Sequence, residues 1–138
     1  MMRLDTEEMQ RVTKEMNRHL KGITIEELLI LRHKKFYFDM ILNESQRNAD
    51  IMTLDLSVRA YNCLKRAGYN TIGQIIDRCP DSGEESSKKQ LLRLRNLGKG
   101  TADEILVKLF FYQFSVLPEE RRDAYMKRVL EMNMQAIA

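Results

Sequence analysis

Arg95-Asn96-Leu97-Gly98-Lys99-Gly100-Thr101-Ala102-Asp103-Glu104-Ile105 is the stretch on which the fold turns. Its two glycines stand one residue apart at the start of an apolar-periodic run. Leu91, Leu92 and Leu94 come before it, and Ile105, Leu106 and Leu109 follow. The pattern predicts a helix, a tight glycine-containing hairpin and a second helix. Glycine permits positive φ and close backbone approach. The N–H groups of Gly98 to Thr101 have no partner inside the second helix, so they can point outward at an anion. The candidate anion is a nucleic-acid phosphate. The same residues also fit an αα corner that only joins two core helices.

Length and charge set the frame. With 138 residues, 43% hydrophobic and 31% charged, the sequence can build one small domain with an appended piece and is not broadly disordered. Residues 1–50 hold nine Lys/Arg and nine Asp/Glu, residues 51–115 ten and seven, and residues 116–138 four and four. The whole net charge of +3 therefore falls in the segment that contains the hairpin. Cys63 and Cys79 form no CxxC, and His19 and His33 are distant from both, so two reduced thiols are expected rather than a metal or disulfide site. No run of about 18 apolar residues is present. Asp5, Glu7 and Glu8 stand where a signal peptide would be apolar. A soluble intracellular protein is expected, with no membrane partner.

In sequence order, residues 1–21 read as a charged helix with an Asp5/Glu8 cap pair and an apolar stripe at Met9, Val12, Met16 and Leu20. Gly22 ends it. Thr24 with Glu27 forms a capping-box pair, and the dense apolar content from Ile25 to Leu42 predicts one long helix from Ile25 to Gln46. Arg32, His33, Lys34 and Lys35 form a basic run inside it, read as a solvated face. Asn43 to Met52 is polar and reads as a linker. Ser57 is a fair N-cap for a helix to Ala67, and Gly68 falls where a left-handed residue would close it. Asn70 and Thr71 can cap a short helix carrying Ile72, Ile75 and Ile76. Pro80 to Gly83 is a turn, Ser86 or Ser87 starts a third helix, and the helix after the hairpin runs from Thr101 to Phe114. Pro118 with Glu119 and Glu120 opens a final helix carrying Tyr125, Met126, Val129, Leu130 and Met132. No alternation long enough for a strand occurs, so the fold class is all-α.

Catalysis finds no support. The sequence has no HExxH, GxSxG or P-loop pattern, and its acidic pairs fit helix N-termini. No catalytic residue, metal ligand or cofactor is assigned. Nucleic-acid binding has a physical basis. Arg59 and Asn62 are three apart and share a helix face. An Arg follows the negative potential of a narrow minor groove, and an Asn amide can donate to the adenine and thymine acceptors there. On spacing alone they also fit a solvated helix surface. Lys65, Lys99 and Thr101 add groups suited to phosphate.

Leu54-Asp55-Leu56-Ser57-Val58-Arg59-Ala60-Tyr61-Asn62-Cys63-Leu64-Lys65-Arg66-Ala67-Gly68-Tyr69-Asn70-Thr71-Ile72 resembles the opening of the C-terminal domain of the bacterial RNA polymerase alpha subunit. Leu94-Arg95-Asn96-Leu97-Gly98-Lys99-Gly100-Thr101 resembles that domain's second motif, in the same order. The resemblance covers roughly residues 52–115. It implies a compact four- to five-helix domain, helix-hairpin-helix-related and SAM-like, with extra helices at both termini. The division it suggests is a helical extension over 1–50, the alpha C-terminal-like domain over 51–115 and a C-terminal helix over 116–138.

The resemblance further implies a non-enzymatic protein of bacterial transcription, cytoplasmic and nucleoid-associated. Its expected partner is double-stranded A·T-rich DNA, held in the minor groove and along the phosphates. RNA polymerase, sigma factor and transcription regulators are further implied partners. By the family's motifs, Arg59 is the central groove contact, Asn62 the motif asparagine, Gly98 the hairpin glycine and Thr101 the residue that opens the last helix. Glu104 also lies near DNA in the family. The residue before Thr101 is usually basic, and here it is Gly100, which moves that contact to Lys99 or removes it. The segment between Ile76 and Leu91 is longer than usual, and only about fifty residues precede the motif, so a freestanding relative is expected rather than an ordinary alpha subunit. The added helices are expected to pack onto the module; a homodimer is the other arrangement they allow. A protein-interaction module with little DNA binding is the alternative function, favoured by Gly100 and by the low net charge.

Overall fold

The computed structural model describes residues 7–33, 35–80 and 86–135. Among them lie eight α-helices and one 3₁₀ turn, with a single isolated β-bridge between Asp50 and Thr71 and no strand. The described residues divide into two compact units, one within residues 40–110 and one formed by residues 7–39 with 111–135. The fold is all-α.

In the first unit, α3 (Glu44–Arg47) is followed by the 3₁₀ turn Ile51–Leu54, α4 (Val58–Arg66), α5 (Ile72–Arg78) and α6 (Ser87–Leu91). The long helix α7 (Lys99–Val116) contributes its first part, to Phe110, to this unit. Local chemistry fixes each start. The side chains of Asn43, Ser57, Thr71 and Ser86 each accept a hydrogen bond from a backbone N–H of the first helical turn. Thr71 and Gln74 complete a capping box. Helix α4 ends where Gly68 takes φ +87°, a conformation open to glycine without penalty, and the Arg78 guanidinium donates to the Gly68 carbonyl at 3.3 Å. Ile51, Leu64, Ile72, Ile75, Leu91, Ile105 and Phe110 are fully buried or nearly so and form the core. Each such apolar residue stabilises the fold by about 1.5–3 kcal/mol on leaving water.

Tyr69 is buried against this core, its hydroxyl 3.5 Å from Cys79 Sγ and its ring under the Arg78 guanidinium. Burial, reinforced by the contact with Cys79, pushes the phenol from 10.0 up to about 12. The fold favours the neutral form, so this contribution is intact below the unfolded-state value and is lost as pH rises through the folded one. The urea midpoint is expected to fall between about pH 10 and 12. Tyr69→Phe should flatten that fall.

The second unit holds α1 (Glu7–Asn17), α2 (Ile25–Leu31), the end of α7 and α8 (Glu119–Gln135). Asn17 ties α1 to α2, accepting from the Ile25 N–H at 2.7 Å and donating to Glu26 at 2.9 Å. The Thr24/Glu27 capping box forms as expected. The Arg122 guanidinium lies 4.8 Å from the Phe114 ring centroid and donates to the Ser115 carbonyl. Asp123 sits beside Lys127 and His19, which hold its carboxyl below the usual range.

One expected helix is overturned. The stretch from Ile25 to Gln46 is helical over Ile25–Leu31 and again from Glu44, where α3 begins, and residues 35–43 are non-helical before Asn43 caps α3. The reason is a competing set of partners. Asn133 on α8 accepts from the Tyr37 N–H at 2.9 Å and donates to the Tyr37 carbonyl at 2.8 Å. The Tyr125 hydroxyl donates to the Asp39 carbonyl at 2.8 Å, and Arg128 pairs with the Asp39 carboxylate at 2.8 Å. These side chains satisfy backbone groups that a helix would have paired. Arg32, His33 and Lys35 of the basic run therefore follow α2 rather than decorating a longer helix, and Lys34 lies outside the described residues. Helix α7 starts two residues before, and ends two after, the expected Thr101–Phe114. Asp5 and the Asp81–Gly83 part of the expected turn lie outside the described residues.

Candidate nucleic-acid interface

Helix α4 and the hairpin before α7 build one surface. Ser57 caps α4, and its own N–H and hydroxyl donate to the Glu104 carboxylate at 2.6 and 2.7 Å. Glu104, on the second turn of α7, thus fixes where α4 begins. Ala60, Cys63 and Leu64 face inward, while Arg59, Asn62 and Arg66 are exposed. Their spacings of three and four put them in one stripe along the helix.

The hairpin is anchored from two directions. Leu97 is buried, and its N–H donates to the Leu94 carbonyl at 3.2 Å. The Cys63 thiol donates to the Asn96 carbonyl at 3.4 Å, which docks the hairpin on α4. Asn96, with φ +64°, is the residue that takes the left-handed turn. Neither hairpin glycine has positive φ, and Asn tolerates that region better than most residues. A Cβ added at Gly98 or Gly100 would meet nothing within 4 Å. Neither φ nor internal packing therefore calls for glycine here, and the bare backbone is open to another molecule.

Between α4 and the hairpin runs an open groove of about 780 Å³. Arg59, Asn62 and Arg66 line it from α4, and Asn96, Leu97 and Gly98 line it from the hairpin. Two guanidiniums and two carboxamides meet there with no carboxylate among the lining residues. Such a groove suits an anionic partner rich in hydrogen-bond acceptors.

The structure brings Arg59, Asn62 and Gly98 into this groove and leaves the other expected residues around it. Lys65 donates to Asn70 at 2.7 Å and lies near the Tyr61 ring. Lys99 and Gly100 are exposed at the first turn of α7. Thr101 is buried, and Glu104 is occupied by Ser57. Sequence reasoning placed Arg66 with Lys65 at the end of the helix without assigning it to the site, and it missed Asn96. Arg66 could have been assigned by stepping seven residues from Arg59 along the same face, and Asn96 by its aptitude for positive φ.

A compact helical module with a hairpin docked beside a basic groove defines a class of small helix-hairpin-helix-like domains. The family model for the C terminal domain of the bacterial RNA polymerase alpha chain matches residues 41–110, and the protein belongs to this family. The DNA-directed RNA polymerase subunit alpha of Carboxydothermus hydrogenoformans is 43% identical over 70 residues, 51% of this protein and 20% of that one. The corresponding subunit of Leuconostoc mesenteroides is 48% identical over 62 residues, 45% of this protein and 17% of that one. That of Moorella thermoacetica is 46% identical over 59 residues, 43% of this protein and 16% of that one. The match thus spans a fifth or less of these relatives' length. No solved structure matches. The matched domain is a non-catalytic part of the polymerase, and the module is not an enzyme. Among the described residues, no helix is long and apolar enough to cross a membrane, and no group of three or more His, Cys, Asp or Glu could hold a metal ion.

Proposed function

We propose that the module over residues 51–115, with the flanking 1–50 and 116–138 as additions to it, binds A·T-rich duplex DNA in bacterial transcription. The observation that carries the reading is the acid-free groove between α4 and the hairpin, with Arg59 and Asn62 on one wall and Gly98 on the other. Arg59 enters the minor groove, where its charge follows the potential of a narrow A·T tract. Asn62 donates to the acceptors on the groove floor. The first-turn amides of α7, with Lys99 and the Thr101 position, hold a flanking phosphate through unpaired N–H groups and the positive helix end. Lys65 stands at the end of α4 for a further phosphate, and Glu104 sets the start of the helix that carries Arg59. Fluorescence anisotropy with A·T-rich and G·C-rich duplexes, at fixed salt, tests the reading. Tighter binding to the A·T-rich duplex supports it; equal affinity removes the minor-groove mode.

The bare backbone at Gly98 gives a separate expectation. Gly98→Ser adds a Cβ into open space at the residue before α7, and serine is a good N-cap. Thermal stability should stay within about 0.5 kcal/mol of wild type, as for an ordinary surface change. Duplex affinity should fall, because the added hydroxymethyl group keeps a phosphate from the amides. Unchanged affinity would show that the hairpin is only a corner.

A second reading is favoured by three particular positions. Gly100 supplies no cation, Lys65 is engaged by Asn70, and Glu104 is engaged by Ser57. A module with those groups absent or already engaged would serve as a protein-interaction surface for polymerase, sigma factor or a regulator. Capture of polymerase holoenzyme without duplex binding would support this second reading over the first.

A further inference from the structure

The groove contains a cation that the minor-groove reading leaves unused. Arg66 is exposed at the last position of α4 and lines the groove with Arg59, although no carboxylate is there to pair with it. Asn62 lies between them, three residues after Arg59 and four before Arg66. At 1.5 Å of rise per residue, the two arginines stand roughly 10 Å apart along the axis, with the amide near the middle. The minor groove is about 6 Å wide between its phosphate walls. Arg59 and Asn62 stand about 4.5 Å apart along the axis and so fit together over that width, while Arg66, about 6 Å beyond Asn62, falls at a wall.

The ends of α4 are not equivalent. The Arg59 end is held by Ser57 and Glu104, against α7 and its free amides. Arg66 closes the opposite end of α4 from the Ser57–Glu104 contact, and beyond Arg59 and Arg66 no other cation of α4 lines the groove. A lysine at position 100 would have charged the hairpin side; glycine there leaves that side with backbone donors and Lys99. We infer that Arg66 is the second DNA cation of this module, holding a phosphate on the groove wall opposite the one held by the Gly98–Thr101 amides. The inference rests on the duplex-binding reading and adds a phosphate clamp at the far end of α4. An arginine there is also favourable toward the negative end of the helix dipole. That effect would be felt in folding, not in the salt dependence of DNA binding, and this separates the two roles.

The test measures duplex affinity of the full-length protein from 50 to 200 mM salt for wild type, Arg66→Ala, Arg66→Lys and Arg59→Ala, on A·T-rich and G·C-rich duplexes. One lost phosphate contact lowers the slope of log K against log salt by about 0.9. Arg66→Ala is therefore expected to bind both duplexes more weakly by a similar factor, with the shallower slope and with the A·T preference kept. Arg66→Lys should restore the slope, since one positive charge suffices to release one counterion. Arg59→Ala should instead lose the A·T preference. A wild-type slope for Arg66→Ala overturns the assignment while leaving the duplex reading intact. A changed A·T preference in Arg66→Ala also overturns it, by moving Arg66 from phosphate to base edge. If wild type binds neither duplex, the duplex reading fails and the inference fails with it.

Discussion

Arg59→Ala is expected to weaken binding to an A·T-rich duplex by about 1–3 kcal/mol, a loss of roughly five- to 150-fold. Arg59 is exposed near the start of α4, so truncating it uncovers no core and the melting temperature should hold. The effect should be larger on A·T-rich than on G·C-rich duplexes, because the narrow groove concentrates the potential that the guanidinium follows. Salt supplies a control. If Arg59 only neutralised a phosphate, the loss would be uniform across sequences and would come with a shallower salt slope. Equal binding by wild type and Arg59→Ala would remove the proposed DNA mode altogether.

Asn133→Asp is expected to be the most destabilising single change discussed for this protein. Asn133 is fully buried and its amide is used completely. The oxygen accepts from the Tyr37 N–H, and the nitrogen donates to the carbonyls of Tyr37 and Val129 at 2.8 and 2.7 Å. An aspartate would keep the acceptor and turn the donor into an anion facing two carbonyl oxygens. An unpaired buried charge costs about 3–5 kcal/mol. The variant carboxyl should be raised in the folded state, since only its protonated form can donate to either carbonyl. Its neutral form then restores stability below the unfolded pKa near 4, and that gain is lost as pH rises through the folded value. Unfolding midpoints at pH 4 and pH 7 therefore diverge in the variant, relative to wild type, with the deficit at pH 7. Equal deficits at both pH values would mean that the carbonyls do not depend on the donor. Faster amide exchange at Tyr37 should accompany the loss.

What could be read from sequence was local. Ser57, Thr71 and Ser86 sit at caps and Gly68 at a helix end because each signal acts within a few residues of the backbone group it serves. Arg59 and Asn62 share a face for the same reason: helix period is local geometry. The long helix over Ile25–Gln46 was illegible as three pieces, because the groups that satisfy Tyr37 and Asp39 lie 86 to 96 residues downstream. Dense apolar residues predict burial, but they do not say which backbone pairs them. The hairpin shows the same limit on a smaller scale. Two glycines drew attention to positive φ, yet Asn96 takes it, because the turn must present its carbonyl to Cys63 on another helix. Arg66 joins the groove only once the α4 face and the hairpin are seen on either side of it.

The link between Tyr37 and Asn133 also bears on the order of events during synthesis. Its partners are separated by 96 positions, and the 40–110 unit lies wholly between them. Proteins emerge N-terminus first, at about 5–20 residues per second. The 40–110 unit can therefore be complete while Tyr37 still waits for Asn133, an interval of a second or more at those rates. The apolar residues of α1 and α2 spend that interval without the helix that finishes their unit. Closing so large a loop then costs little more than closing a loop half its size, roughly 0.6 kcal/mol for the doubling. A ribosome stalled before Asn133 would hold a polypeptide with its 40–110 unit complete and its other unit unfinished. Such a nascent polypeptide would be the substrate on which a chaperone or protease acts first.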